Sequence, residues 1–218
     1  TEERANHASA AFGAFLTAHI EEHRHNKADD LLSALIAVRD TGEKLTDDEL
    51  ISTCVLLLNA GHEATVHQTG NAVKTILEQG GDPRRFFDRP EAAAATVEEA
   101  LRYDAPLHMF TRYAYEDIDL GPVTLKPGEQ VALLLGAANR DPSAFDAPGA
   151  FRPGRPDQKN VSFGAGLHFC IGAPLARLEL QQSLSVLFSR LPELTLETAP
   201  HYRDSYHFHG LERLIVRL

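Results

Sequence analysis

The chain has 218 residues, of which 43% are hydrophobic and 24% are charged, and its formal net charge is −10. This composition predicts a globular domain with a core of its own, and the negative charge argues against general nucleic-acid binding. Without a secretory leader or a run of about twenty apolar residues, the sequence predicts neither export nor a membrane anchor.

The two cysteines, Cys54 and Cys170, lie far apart in unrelated sequence contexts. They do not form a disulfide framework, and they favour a reducing cytoplasm. A cytoplasmic location is therefore expected.

The first predicted elements are helices. Apolar residues recur every three or four positions from Ala5 to His25, which indicates an amphipathic helix. His19 and His23 share a face at its polar end, where a solvated histidine-rich end is a commoner arrangement than a metal site. A short helix is predicted from Asp29 to Val38, followed by a turn at 40–42.

A long helix is predicted next, over about 46–79. It begins with the capping-box pair Thr46 and Glu49, and no strong breaker interrupts it. Residues 51–58 are apolar on nearly all sides, which predicts that this part runs through the core. Residues 59–65, Asn-Ala-Gly-His-Glu-Ala-Thr, place a glycine, other small side chains and an acid in mid-helix. These residues are locally unfavourable in a helix, and such a departure from helix propensity often marks a functional site.

The same helix contains a histidine pair that resembles a zinc-protease motif, His62-Glu63 followed by His67. That chemistry requires two histidines four residues apart on one face of a helix. Here they are five apart, about 140° around the helix axis, so zinc-protease activity is rejected.

The second half of the chain mixes helices with short strands, so the predicted fold class is mainly α with small β-sheets. The connection at 83–89 contains one helical turn, and 145–160 is an irregular proline-rich segment. The predicted elements are a helix at about 90–103, strands at 107–114, 123–125 and 130–135, a short helical turn from Asn139, a helix at about 173–190, and antiparallel strands at 194–196 and 214–217.

Cys170 stands near the end of a loop over 163–172, Phe-Gly-Ala-Gly-Leu-His-Phe-Cys-Ile-Gly, directly before the predicted helix. A thiol there faces unpaired N–H groups and the positive end of the helix dipole, which favours the thiolate. Gly164, Gly166 and Gly172 allow positive φ or close approach of a large flat group. A lone cysteine is more often buried and inert, so the surrounding pattern decides.

That pattern, Phe-x-x-Gly-x-His-x-Cys-x-Gly followed by Ala-Pro-Leu-Ala-Arg-Leu-Glu, resembles the haem-binding loop of the cytochrome P-450 family, bacterial soluble type. Ala60, Gly61 and Glu63 are similar to its oxygen-binding helix, and Glu99 with Arg102 to its Glu-x-x-Arg motif. The resemblance covers the whole chain but only the C-terminal half of a family member. The chain is therefore expected to be a fragment, a partial P-450 domain.

The resemblance implies haem b as cofactor, with the Cys170 thiolate as axial iron ligand, which favours O–O cleavage. Phe163 would pack near the sulfur, and His168 would reach a haem propionate. Arg112 would pair with a propionate, the alternative being a strand arginine that faces solvent. The implied cofactor-binding residues are Cys170, His168, Arg112, Phe163, Gly164 and Gly172.

The implied reaction is a monooxygenation that uses O₂, a small organic substrate and electrons from a ferredoxin-type or flavoprotein donor. Its implied catalytic residues are Ala60, Gly61, Glu63 and Thr65. Ala64 stands where the family has its proton-delivering threonine, so Thr65, ordered water or a substrate hydroxyl is expected to supply the missing hydrogen bond. The departure also permits a peroxide-driven oxygenase.

Glu99 and Arg102 would form a buried structural pair. The family usually adds an arginine just before the phenylalanine at 151, but Ala150 stands there, so the triad is either broken or rescued by Arg152 or Arg155.

Several further side chains stay open or are expected to be ordinary. Asn160 stands where relatives often carry a propionate-binding histidine, and its role is left open. Arg177 either helps to dock an acidic electron donor or is solvated. His207 and His209 are expected to be ordinary surface or packing residues. The isolated chain is expected to bind haem weakly or not at all and to self-associate through exposed apolar surface.

Overall fold

The computed structural model describes residues 2–40, 45–156 and 159–218. Most of the turn predicted at 40–42 therefore lies outside the described residues. The chain divides into two compact units, Thr1–His62 and Glu63–Leu218.

The first unit is helical. Helix α1 covers Glu2–His25, three residues longer at its start than predicted, and α2 covers Leu31–Asp40. Helix α3, Asp47–Glu78, begins in this unit and continues into the second. The predicted capping box at its start is confirmed, because Glu49 N–H donates to Thr46 Oγ1 at 3.2 Å and Thr46 N–H donates to Glu49 Oε2 at 2.7 Å.

The prediction that residues 51–58 run through the core is wrong. Leu56 and Leu58 are 65% and 58% exposed, although Leu50 is fully buried. The buried stripe of α3 instead continues in its second half, where it includes Gln68 and Asn71. An apolar composition shows which side chains can be buried, but the packing partners of the helix determine which side chains are buried.

The core of the second unit lies where α3 packs with α4, Pro90–Tyr103, and α6, Ala173–Arg190. Both helices have the predicted bounds and carry a proline in their first turn. Proline lacks an N–H, and the N–H groups of a first turn have no acceptor within the helix, so no helical hydrogen bond is lost there. A 3-10 turn, Pro83–Phe86, provides the helical turn predicted in the 83–89 connection. The buried apolar side chains of this core are Ala72, Val73, Ile76, Val97, Ala100, Leu101, Leu180, Leu184, Phe188 and Leu194.

The described strands pair as two-stranded antiparallel sheets. The pairs are β1 (Met109–Tyr113) with β4 (Gln130–Leu134), β2 (Ile118–Asp119) with β3 (Thr124–Leu125), β5 (Thr195–Leu196) with β8 (Val216–Arg217), and β6 (His201–Tyr202) with β7 (Leu211–Arg213). The predicted pairing of the two C-terminal strands is confirmed. Strands β2, β6 and β7 were not predicted, because two or three residues carry too little alternation to show a period.

One short helix lies earlier than predicted. Helix α5 covers Leu135–Ala138, directly after β4, whereas the helical turn was expected to start at Asn139. The predicted class, mainly α with small sheets, is confirmed. Among the helices of the described residues, none combines the length and the apolar character needed to cross a bilayer.

Candidate functional site

The loop that carries Cys170 is a compact series of turns leading into α6. Gly164 and Gly166 adopt φ of 71° and 67°, in the left-handed region that favours glycine, so both glycines are required by the turns. The N–H of Cys170 donates to Phe163 O at 2.9 Å, which closes the loop on itself. Gly172, at φ −81°, is not strained and forms the N-terminal cap of α6.

The Cys170 thiol is exposed, and so are the apolar side chains around it in sequence. Leu167 is 97% exposed, Phe169 49% and Ile171 91%. An exposed cluster of large apolar residues around a thiol is unusual for a soluble surface. The loop therefore presents an apolar surface that contains one thiol able to bind a metal ion.

The loop is fixed to the core by a buried asparagine. Asn139, which is fully buried, donates from Nδ2 to Ser162 Oγ at 2.8 Å and accepts from Val161 N–H at 2.8 Å. The Ser162 hydroxyl donates in turn to Leu101 O at 2.7 Å. The residues directly before the Cys170 loop are therefore held to the end of α4 by buried hydrogen bonds.

A second anchor involves the aromatic ring of Phe163. This ring packs against the core cluster, and the Arg177 guanidinium lies 4.5 Å from its centroid. Arg177 also pairs with Glu98, which accepts a bond from Asn160 Nδ2 at 3.1 Å. Both side chains left open by the sequence, Asn160 and Arg177, thus have structural partners at Glu98.

The predicted Glu99–Arg102 pair is buried and bidentate. The two side chains are 1% and 2% exposed, and Arg102 donates to the carboxylate from Nε at 2.8 Å and from Nη2 at 2.7 Å. Its Nη1 reaches Asn139 O at 2.9 Å and Pro148 O at 3.0 Å. Since Asn139 also binds the Cys170 loop, the pair and the loop belong to one hydrogen-bond network.

Arg155, and not Arg152, completes the triad. Its Nε donates to both Glu99 oxygens at 3.0 and 3.1 Å, and its side chain is 7% exposed. The Arg152 side chain points to Asp146 at the surface, and only its backbone N–H reaches Glu99, at 2.7 Å. The absence of an arginine at Ala150 therefore does not break the network.

Arg112 lies on β1 opposite Val131 and is partly exposed. Its guanidinium donates to Thr111 O at 2.8 Å, and no acid among the described residues forms an ion pair with it. A partly buried guanidinium with this one neutral acceptor has capacity for a carboxylate. The exposed ring of His168 lies on the 3-10 turn Gly166–His168 of the Cys170 loop.

The mid-helix motif of α3 presents small and polar side chains to solvent. Ala60 and Gly61 are exposed, and a Cβ added to Gly61 would meet open space. Further along α3, Glu63 is 51% exposed and lies 3.7 Å from His67 Nε2. Thr65 is partly buried, and its backbone carbonyl accepts a bond from Thr69 Oγ1 at 2.8 Å.

The family model for cytochrome P450 matches residues 91–204. The chain belongs to the cytochrome P450 family. The matched region includes the Glu99–Arg102 pair, Arg112 and the Cys170 loop of this P450 chain.

Known cytochromes P450 are similar to this one over nearly its whole length. The biotin biosynthesis cytochrome P450 of Bacillus subtilis is 42% identical over 198 residues, which are 90% of this chain and 50% of that protein. The polyketide biosynthesis cytochrome P450 PksS of the same organism is 36% identical, over 99% of this chain and 54% of its own. The chain spans about half the length of the curated relatives it matches.

Solved P450 structures have the same architecture. Ligand-free CYP164A2 from Mycobacterium smegmatis superposes with a TM-score of 0.90 at 39% identity, covering 99% of this chain and 55% of that one. P450BioI, solved in complex with an acyl carrier protein that carries hexadec-9Z-enoic acid, gives 0.89 at 40% identity, covering 98% and 55%. The predicted fold, the C-terminal half of the P450 fold, is confirmed.

Proteins of the P450 family bind haem b, and the residues of this P450 chain fit that group. The fit rests on the exposed Cys170 thiol among apolar side chains and on the guanidinium of Arg112, which has no ion-pair partner among the described residues. A thiolate suits iron, an apolar surface suits a porphyrin face, and a guanidinium suits a propionate. Among the described residues, no group of three or more His, Cys, Asp or Glu is arranged to hold a separate metal ion.

Two features of this P450 chain were missed by sequence reasoning. Asn139 was read as the start of a turn, although its side chain fixes the Cys170 loop. His209, expected to be ordinary, donates from Nε2 to Asp104 Oδ1 at 3.0 Å and stacks between the rings of His108 and Tyr202. Only their contacts with residues distant in the sequence identify these two side chains, and the sequence alone carries no signal for those contacts.

The cluster around Asp104 shifts the ionisation of its neighbours. Burial, with the nearby charge of His209, lowers the pKa of His108. Burial, with the hydrogen bond to Asp104, raises the pKa of Tyr202. Lys74 lies 3.8 Å from Asp104 Oδ2, so the carboxylate has basic neighbours on two sides.

Proposed function

We propose that this chain supplies the proximal ligand and part of the proton-delivery side of a haem-thiolate monooxygenase, which oxidises a small organic substrate with O₂. The observation that carries the proposal is the exposed thiol of Cys170 among Leu167, Phe169 and Ile171, at the N-terminal end of α6. When bound, haem would supply the activation of O₂ and the insertion of one oxygen atom.

In this proposal the protein holds the cofactor by three kinds of contact. Cys170 would give the thiolate to iron, and the turns at Gly164 and Gly172 would bring the backbone close to it. Phe163, which packs against the core, would limit the movement of the loop. Arg112 and His168 would bind the propionates, where a guanidinium forms the stronger charge-assisted bond.

We propose that α3 supplies small side chains and one acid for oxygen binding. Ala60 and Gly61 leave space beside the helix backbone, because neither extends beyond a methyl group. Glu63 holds and releases a proton at its carboxylate, and Thr65 or a substrate hydroxyl provides the hydrogen bond that Ala64 cannot make.

Electrons would come from a ferredoxin-type or flavoprotein donor. Ala64 favours a second candidate, a peroxide-driven oxygenase, because that reaction does not depend on threonine-assisted proton delivery. Turnover by the full-length protein with peroxide alone, and none with a reducing partner and O₂, would establish this alternative. The cytoplasmic location stays a prediction.

The reduced carbon-monoxide difference spectrum of the full-length protein tests the ligand assignment. The native protein should give the red-shifted band of a thiolate-ligated haem, and Cys170→Ser should lose both that band and product formation. Cys54→Ser is the matched control, because the other cysteine lies in α3 and should leave the band unchanged. A red-shifted band in Cys170→Ser would exclude Cys170 as the ligand.

For the isolated chain of 218 residues we propose weak haem binding and self-association. Leu167, Ile171 and Leu218 are more than four-fifths exposed, and such surfaces drive association. Titration with haem and analytical ultracentrifugation would test both points. A monomer that retains stoichiometric haem through gel filtration would refute them.

A further inference from the structure

The side chain of His67 is unusual for its place in the fold. It is only 7% exposed, and it lies on α3 between the exposed mid-helix motif and the buried second half of the helix. Its ring packs 5.7 Å from the ring of Phe208, centroid to centroid. Because a buried imidazole is polar, its two nitrogens need contacts within the protein.

The packing around Gly210 fixes the orientation of this ring. A Cβ added to Gly210 would collide with Nδ1 and the adjoining carbons of His67. The Nδ1 edge therefore lies against the Gly210 backbone, and the opposite nitrogen, Nε2, faces back along α3. There it lies 3.7 Å from Oε1 of Glu63, one helical turn earlier.

The two partners have contrasting environments. The imidazole is enclosed, whereas the Glu63 carboxylate is 51% exposed. On the 207–210 segment that packs against His67, the titratable groups are His207, whose ring contacts Phe208, and His209, which is bound to Asp104. Within the ion pairs of the described residues, Glu63 is the partner of His67.

We propose that His67 is a positioning residue for Glu63. Its ring, fixed against Gly210, holds the Glu63 carboxylate in position across one helical turn. The inference rests on the proposed function, in which Glu63 serves proton delivery beside Ala64, a residue without a hydroxyl. His67 acts through Glu63 and is not itself assigned a contact with substrate.

The first test measures the pairing without turnover. The nitrogen chemical shifts of the His67 imidazole are recorded by NMR at one fixed pH in the full-length protein, held in the diamagnetic ferrous carbon-monoxide form, and the signal is identified by its loss in His67→Gln. Glu63→Gln should change the Nε2 chemical shift, because the carboxylate that lies 3.7 Å from this nitrogen is removed. Glu78→Gln, which removes another acid from α3, should not change it. The same Nε2 chemical shift in the native protein and in Glu63→Gln would overturn the inference.

The second test measures the consequence for proton delivery. Coupling of electron use to product is measured in a double-mutant cycle with Glu63→Gln. His67→Gln and His67→Phe, which keeps the ring volume, should each lower the coupling ratio in the native background and should not lower it further in the Glu63→Gln background, because His67 acts through Glu63. His201→Gln in β6 should leave the ratio unchanged. A purely structural role would give losses that add in the double variant.

The outcomes separate this inference from the function on which it rests. If the pairing is present and the losses from His67→Gln and Glu63→Gln add in the double variant, the positioning role is refuted and the monooxygenase assignment stands. If the native protein lacks the red-shifted carbon-monoxide band, the proposed function fails, whatever the NMR result for His67.

Discussion

The Glu99 network makes a sharp prediction about two arginines that the sequence does not distinguish. Arg155→Met removes a guanidinium that donates to both Glu99 oxygens at 3.0 and 3.1 Å, and from Nη2 to Ala150 O at 2.8 Å. Arg152→Met removes only a surface pair with Asp146, in which the arginine is 54% exposed and the acid 88%. The two variants change the same residue type within one loop.

The expected costs differ because the two environments differ. Removing one partner of a buried ion pair costs about 3–5 kcal/mol when the remaining charge is left alone. Glu99 keeps its two bonds from Arg102 and one from the Arg152 N–H, so we expect about 2–4 kcal/mol for Arg155→Met. The exposed Arg152 pair should contribute less than about 1 kcal/mol.

Urea unfolding of the full-length protein, followed by far-ultraviolet circular dichroism, measures both free energies of unfolding. Arg155→Met should lower the midpoint with an unchanged slope, and Arg152→Met should leave the midpoint nearly unchanged. Equal destabilisation by the two variants would show that Arg155 is not the third member of the triad. Glu99→Gln in the Arg155→Met background should add less than in the native protein, because the residues share one network.

Two further predictions concern His108, directly before β1, and the glycines Gly210 and Gly70. Burial and His209 lower the pKa of His108 below 6.5, so the His108 imidazole binds a proton more readily in the unfolded chain than in the folded one. The free energy of unfolding should therefore fall as the pH drops below about 6.5. Urea unfolding at a series of pH values should show that His108→Gln loses this part of the acid dependence. Gly210→Ala should destabilise by about 1–3 kcal/mol through collision with His67, whereas Gly70→Ala, with its nearest neighbour at 3.9 Å, should stabilise by up to about 1 kcal/mol.

Helix bounds were predicted best where the sequence carries a local physical signal. The bounds of α4 and α6 agree with prediction because Pro90 and Pro174 can occupy a first turn and little else in a helix. The start of α3 follows from the Thr46–Glu49 box for a similar reason. These signals act within a few residues, so no knowledge of the packing is needed to use them.

Burial was predicted less well because it depends on residues distant in sequence. Leu56 and Leu58 have the apolar character of core residues and are mostly exposed, whereas Gln68 is polar and 2% exposed. Asn139 illustrates the same limit for function. Its side chain serves the Cys170 loop through Ser162, 23 residues away, and nothing local indicates that contact.

The replacement at Ala150 shows why a motif can change position without losing its structural role. The Glu99 carboxylate needs guanidinium donors in a buried place, and it does not matter from which backbone position they come. Arg155 lies five residues beyond Ala150, yet its Nη2 donates to the Ala150 carbonyl and its Nε to Glu99. The chain turns back between these positions, so an arginine displaced along the sequence reaches the same carboxylate. A network of this kind is therefore better recognised by the charges that meet than by the spacing of the residues that carry them.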